Sequence, residues 1–288
     1  MAIAPVAPAC PPVARWVRSL AVLLAALMAT ASNVARADAD LDRIHARGTI
    51  KVAVYKDFFP FSEDGKGIDI ELANALAERL GVRAEVLPFD AGEELGDDLR
   101  NMVWKGHYLG YGPADVMMHV PVDRVLQTRN DKVSIFGPYY RESIKLAIDS
   151  ERISDWKGPD ILAQEPVAVD GDSLSAQVIL GADGGRYRDR VVISHGVEAA
   201  IAAVKSGRAA AILAARSELE AGLGIGQRYR YVDATWPGLP PAGWVAGLAV
   251  RSDSHDLERA LQEALDGVTR DGTLARIFAQ HGVTYTHP

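Results

Sequence analysis

The 288-residue sequence has almost no cysteine: the single one is Cys10, near the first residue. One thiol excludes a disulfide within the chain and a metal site built from several thiolates. Beyond position 10 there is also no cysteine nucleophile. Stability must therefore come from a packed hydrophobic core, which a chain of about 250 residues is long enough to build.

Long hydrophobic runs are missing as well. The longest, residues 20–28, is well short of the roughly 20 apolar residues that cross a bilayer. It follows Arg15 and Arg18 and precedes the small residues Ala35 and Ala37, an order typical of a cleaved secretory leader. We predict that residues 1–37 are a signal peptide and that the other 251 residues form an exported, soluble protein.

Basic residues are scarce, because removal of that leader leaves 28 of them against 38 acidic residues, a net charge of −10. Nucleic-acid binding depends on clustered lysine and arginine, so no nucleic-acid partner is expected. The seven histidines have no spacing typical of metal ligands. We predict no bound metal and no cofactor.

Two runs of alternating strands and helices follow the leader. The predicted strands are residues 49–54, 84–87 and 115–118 in the first run, and residues 167–169, 191–194 and 209–214 in the second. This alternation is typical of parallel sheets with right-handed crossovers. A strand at residues 244–250 and helices at residues 256–268 and 273–280 follow. The pattern predicts two α/β lobes between which the chain crosses twice.

Several segments resemble family-3 periplasmic solute-binding proteins, which bind polar amino acids for ABC importers. They are LDRIHARGTIKVAVYKDFFPFSEDGKGIDIELANALAERLGVRAEV, FGPYYRE, VAVDGDS, AAIAAVKSGRAAAIL and LQEALDGVTRDGTLARIFAQHGV. These segments follow the order of the family and cover nearly all of the chain after the leader.

The resemblance implies an α/β Venus-flytrap of type II, whose two lobes close over one small ligand. Residues 38–143 would form the first part of lobe 1, residues 144–240 lobe 2, and residues 241–288 the return strand and helices that complete lobe 1. It also implies a monomer that is not an enzyme and that delivers its ligand to the membrane subunits of an ABC importer.

The family pattern suggests where a ligand would bind. The predicted ligand-binding residues are Phe58, His119, Asp123, Arg124, Asp172, Ser173 and Arg216. Phe58 would stack on the ligand and Arg124 would hold a carboxylate with paired N–H groups. Alternatively, Asp123 and Arg124 form an exposed pair, while Asp172 and Ser173 form an ordinary helix cap.

The acids that hold a ligand ammonium in this family have no counterpart in the matching segment. Ala210 and Ala215 occupy those positions, and Arg216 follows. A buried ammonium without a partner is costly. We therefore expect a small polar or anionic ligand in place of an α-amino acid.

Two other functions are compatible with parts of the sequence. ADVMMHVPVDRVLQTRN is similar to a segment of solute-binding-like accessory proteins of periplasmic quinoprotein alcohol dehydrogenases, and Trp104 and Tyr108 would then contact the dehydrogenase. Residues 171–174 spell GDSL, which names a hydrolase family. No Asp-x-x-His near the C-terminus supplies the base that such a serine needs, so a GDSL hydrolase is only a remote alternative.

Overall fold

The computed structural model describes residues 39–288, so the predicted signal peptide and Cys10 lie outside the described residues. Ten strands are present in this part: β1 Thr49–Tyr55, β2 Arg83–Phe89, β3 Val116–Pro121, β4 Val133–Glu142, β5 Ile144–Asp149, β6 Val167–Asp170, β7 Val191–Ser194, β8 Ala211–Ala215, β9 Tyr229–Asp233 and β10 Trp244–Arg251. They form two five-stranded sheets.

The nine α-helices of this region cover the two sheets. They are α1 Ala39–Arg47, α2 Ile68–Arg79, α3 Leu95–Leu99, α4 Arg124–Arg129, α5 Leu174–Gly181, α6 Val197–Lys205, α7 Arg216–Leu223, α8 His255–Arg270 and α9 Thr273–Gln280. A π-helical turn, Arg100–Trp104, continues α3. No helix in residues 39–288 is long and apolar enough to cross a membrane.

The first sheet has the strand order β2-β1-β3-β10-β4. β1 is parallel to β2 and β3, whereas β10 is antiparallel to β3 and β4. Helices α1, α2, α8 and α9 pack on one side of it, and the apolar stripe of α8 is buried there. The stripe consists of Leu257, Leu261, Leu265 and Val268, at the predicted helical spacing.

The second sheet has the order β7-β6-β8-β5-β9. β6 is parallel to β7 and β8, and β5 is antiparallel to β8 and β9. Small side chains of α6, among them Ala200 and Ala203, are completely buried against this sheet. Their size allows the helix to approach the sheet closely.

The chain passes from the first sheet to the second at Ser143 and returns through residues 234–243. The two crossings are held side by side because Trp244 pairs with Glu142 in the β4–β10 ladder. Gly243 precedes this pair with φ +68°, and a Cβ there would lie 1.8 Å from the Glu142 carbonyl oxygen. Only glycine fits this approach without a shift of the backbone.

A Gly243→Ala variant should therefore be less stable than the natural protein. Strain at a positive φ and the clash with Glu142 together should lower the free energy of unfolding by about 1–3 kcal/mol. Urea denaturation measures the change. Gly207→Ala has a positive φ and open space around the Cβ, so it is the matched control for strain alone. Equal losses in the two variants would show that the clash has no effect.

Candidate functional site: a cavity between the two sheets

A cavity of about 170 Å³ lies between the two sheets. Its walls come from both of them: Phe58, Phe61, His119, Glu142 and Trp244 on the first side, and Ile144, Asp170, Ser173, Leu174, Ser175, Val197, Leu213, Ala214, Ala215, Ser217 and Glu218 on the second. Most of the polar lining residues stand at or just beyond the carboxyl ends of strands, where open α/β sheets bind ligands. An apolar cavity of about 150 Å³ is known to hold benzene, so this volume suits a small organic molecule.

His119 reaches the cavity because β3 bulges there. Gly247 pairs with Val120 and Ala249 with Met117, so Leu248 faces both Met118 and His119. His119 also has φ +58°, a value that non-glycine residues rarely adopt. A bulge and an unfavourable backbone angle redirect this one side chain, as is common beside functional sites.

Two buried side chains fix the imidazole of His119. Its Nδ1 lies 3.1 Å from Asp69 Oδ2, and the Tyr139 hydroxyl donates to Asp69 Oδ1 at 2.8 Å. Burial and the neighbouring Asp69 carboxylate raise the pKa of Tyr139 well above its ordinary value, so the hydroxyl keeps its proton. We infer that Nδ1 carries the imidazole proton toward Asp69, which leaves Nε2 as a hydrogen-bond acceptor on the ring that lines the cavity.

Two aromatic rings pack against the imidazole. The ring centroids of Phe58 and Phe61 lie 4.8 and 4.2 Å from that of His119, both with edge-on geometry. Such contacts restrict rotation of the imidazole. The same two rings form the apolar wall of the cavity on the side of the first sheet.

Two glutamates from different elements meet in the cavity. Glu142, at the end of β4, is only 1 % exposed; its carboxyl accepts from the Ser143 N–H at 2.7 Å and from the Ser217 hydroxyl. Burial raises its pKa. Glu218, in the first turn of α7, accepts from the Ala215 N–H at 2.9 Å. Burial, and then the nearby Glu142 and Asp170, raise the pKa of Glu218 to about 8, so this carboxyl is mostly protonated at pH 7.

Ser173 lines the cavity and also caps the N-terminus of α5. Its hydroxyl donates to the Asp170 carbonyl at 2.7 Å and accepts from the Ala176 N–H at 3.2 Å. In the described residues no histidine hydrogen-bonds to this hydroxyl, and a GDSL-type nucleophile would need such a base. Asp172 is exposed and is not among the lining residues.

The structure thus brings three of the predicted residues together, namely Phe58, His119 and Ser173. The other four lie outside the lining. Asp123 caps α4 by accepting from the Leu126 N–H at 2.8 Å, and Arg124 is exposed on the same helix. Arg216 donates to the Tyr140 hydroxyl at 3.1 Å and to the Thr284 carbonyl at 2.9 Å. Contact of these four residues with a ligand stays a prediction.

Sequence reasoning missed Glu142 and Glu218. A signal existed for Glu218, which stands three residues beyond the end of a buried strand. At this spacing a glutamate folds back onto the residue that precedes the helix, as Glu218 does onto Ala215. No sequence pattern marks Glu142 as a site residue; it is the last residue of the segment FGPYYRE.

Comparisons with known proteins agree with this architecture. No family model matches the chain. A curated protein, cyclohexadienyl dehydratase of Pseudomonas aeruginosa, is 43 % identical over 77 residues, which are 25 % of this chain and 28 % of that enzyme. The matched part therefore spans little more than a quarter of the enzyme's length.

Solved structures match over most of the described chain. An ancestral cationic amino acid solute-binding protein has a TM-score of 0.64 and 23 % identity over 84 % of this chain and 99 % of its own. A polar amino acid ABC transporter binding protein of Streptococcus thermophilus has a TM-score of 0.63 and 18 % identity over 86 % of this chain and 90 % of its own. An L-arginine-bound amino acid ABC transporter binding protein of Streptococcus pneumoniae has a TM-score of 0.59 and 17 % identity over 86 % of this chain and 99 % of its own. This chain has the two-lobed solute-binding protein fold.

The predicted fold class is therefore confirmed. Within the solute-binding protein fold, the first and second sheets are the centres of the two lobes, and the cavity is the space that the lobes enclose. Phe59, from the loop after β1, packs against the apolar cluster of the second sheet around Ile201. The two lobes are therefore in direct contact beside the cavity.

Proposed function

We propose that this chain is a periplasmic solute-binding protein, which captures one small organic molecule between its lobes and presents it to the membrane subunits of an ABC importer. The observation that carries the proposal is the cavity of about 170 Å³ walled by both lobes. We further propose a monomer whose lobes divide at residues 143/144 and 240/241.

Closure between the lobes links ligand binding to shape. A ligand that contacts both walls binds the closed form better than the open one and shifts the population toward closure. The membrane subunits can then distinguish the ligand-bound protein from the ligand-free protein by its shape. The structural neighbours are themselves described as amino acid-binding proteins of ABC transporters, which supports the same role here.

A thermal-shift screen over amino acids, amines, alcohols and carboxylic acids tests the proposal. A compound present at 100 times its Kd should add about 2.7 kcal/mol to the free energy of unfolding. The control is Leu174→Trp, at a lining residue that is also exposed, because an indole there would occlude the cavity. Compounds that stabilise both proteins equally would bind elsewhere and would contradict the proposal.

A second candidate is an accessory protein of a periplasmic quinoprotein dehydrogenase. The observation in its favour is an exposed aromatic loop after the π-helical turn, where Tyr108 is 88 % and Leu109 is 69 % exposed. Aromatic residues anchor protein interfaces. Capture of a dehydrogenase by the natural protein and not by a Tyr108→Ala/Leu109→Ala variant would favour this role over import.

We propose that the cavity binds without catalysing a reaction. The matched enzyme is a dehydratase, and a buried protonated carboxyl such as Glu218 is the kind of group that could act as a general acid. We nevertheless expect no dehydration of cyclohexadienyl substrates by the purified protein. Turnover that disappears in Glu218→Gln would overturn this expectation.

A further inference from the structure

Apart from the imidazole of His119, every ionisable side chain that lines the cavity is a carboxyl; three serines, Ser173, Ser175 and Ser217, also line it. Three carboxyl groups line it, those of Glu142, Asp170 and Glu218, together with the imidazole of His119. None of the lining residues is a lysine or an arginine. A bound carboxylate would therefore meet no positive side chain within the cavity and would face three acidic groups.

Glu218 is the group best placed to meet a ligand. One of its carboxyl oxygens, Oε2, accepts from the Ala215 N–H, and Oε1 has no protein partner in the part of the chain that the structure describes. Glu142 lies behind it and is already held by Ser143 and Ser217. A donor entering the cavity can therefore bond to Glu218 without displacing an existing contact.

Apart from Ser173, Ser175 and Ser217, the rest of the lining is apolar. Phe58, Phe61, Leu174, Val197 and Leu213 surround the space with aromatic and aliphatic surface. A cavity of this volume, slightly larger than one known to hold benzene, accommodates roughly six to eight non-hydrogen atoms. The site thus combines a small, largely apolar chamber with three carboxyl groups and one imidazole.

We infer that the ligand is a small organic amine without a carboxylate, bound as its ammonium ion to Glu218, with an apolar body between the phenylalanines of lobe 1 and the aliphatic residues of lobe 2. This inference rests on the proposed function and names the ligand class of the same cavity. An ammonium group has three donors, no acceptor and a positive charge, which complements a site lined by three carboxyl groups and by no lysine or arginine. Glu218 thereby supplies the carboxylate that the sequence lacks at Ala215.

Binding should release a proton. Glu218 is protonated in the empty site at neutral pH, and it becomes a carboxylate when the ammonium binds, with the proton going to the buffer. The charged groups facing it are Glu142 on β4 and Asp170 on β6, and both oppose its ionisation. Affinity for an amine should therefore rise by nearly tenfold per pH unit up to about pH 8.

Calorimetry with benzylamine, benzyl alcohol and benzoate, which share one ring, tests the inference. We expect benzylamine to bind at least 10-fold more tightly than benzyl alcohol at pH 8, benzoate not to bind, and the heat to depend on the buffer because a proton is released. Glu218→Gln should lose at least 10-fold in benzylamine affinity together with the pH dependence. Glu263→Gln, on the exposed face of α8, should retain both.

The outcomes separate the inference from the proposed function. Tighter binding of benzyl alcohol or benzoate, lost in Leu174→Trp, would leave capture between the lobes intact and overturn the amine assignment. Failure of all three probes would overturn the assignment as well. The function would then be judged separately, by mass spectrometry of the small molecule that the protein retains from the periplasm.

Discussion

A Glu218→Gln variant is expected to be more stable than the natural protein at pH 8 and equally stable at pH 5. Burial raises the pKa of Glu218 from an ordinary value of 4.5 to about 8 in the folded chain. The folded state therefore binds more protons than the unfolded state between these values. Stability contributed by this group is present below pH 4.5 and is lost as the pH rises toward 8.

The size of the effect follows from the two pKa values. One such group accounts for a loss of at most about 3.5 kcal/mol between pH 5 and pH 8. Glutamine is neutral at every pH and its amide oxygen can still accept from the Ala215 N–H, so the variant avoids this loss. We expect a gain of about 1–3 kcal/mol at pH 8, measured by urea denaturation at both pH values.

Glu263→Gln is the control, because this exposed residue has no hydrogen-bond partner among residues 39–288. Its stability should follow that of the natural protein at both pH values. A Glu218→Gln variant that is less stable than the natural protein at pH 8 would mean that the carboxylate is the favoured folded form. The inference that Glu218 stays protonated until a ligand ammonium binds would then be wrong.

The parts of the fold that could be predicted are those in which a helix accompanies each strand. The stripe on α8 has a clear period of 3.6. The parallel strands β3, β6 and β8 are short, almost continuous buried runs, which is typical of strands covered on both faces. Strands β4, β5 and β9 are not among the predicted strands. They pair antiparallel with strands that are distant along the chain, β4 with β10 and β5 with β9. Their order in the sheet depends on long-range pairing that local sequence does not encode.

The candidate site was predictable where it depends on position along a strand. His119 and Ser173 follow buried strands, and the carboxyl ends of such strands face the cleft. Asp123 and Arg124 follow a strand too, but the chain turns directly into α4, where Asp123 caps the helix. The fold-back of Glu218 onto Ala215 follows from its spacing. Its raised pKa depends on burial and on Glu142 and Asp170, which are distant along the chain, and the order of residues does not show this.

The second large effect is expected for Asp69, the carboxylate behind His119. Asp69 is 1 % exposed and holds both Tyr139 and the imidazole of His119. In Asp69→Ala the Tyr139 hydroxyl and His119 Nδ1 lose their common partner. Removing one member of a buried, hydrogen-bonded set of this kind costs about 3–5 kcal/mol. Thermal and urea denaturation of the variant measure the loss.

Asp69→Asn separates structure from function. The amide oxygen of the asparagine can still accept from the Tyr139 hydroxyl. Its N–H₂ group then takes the place of Oδ2 and faces His119 Nδ1 as a donor. The imidazole proton must then move from Nδ1 to Nε2, so that the cavity meets a donor where it had an acceptor. We expect the variant to remain folded at 25 °C and to lose at least 10-fold in benzylamine affinity, measured by calorimetry. Since Asp69 lies behind the imidazole and outside the lining residues, unchanged affinity would show that His119 does not act on the ligand through Nε2.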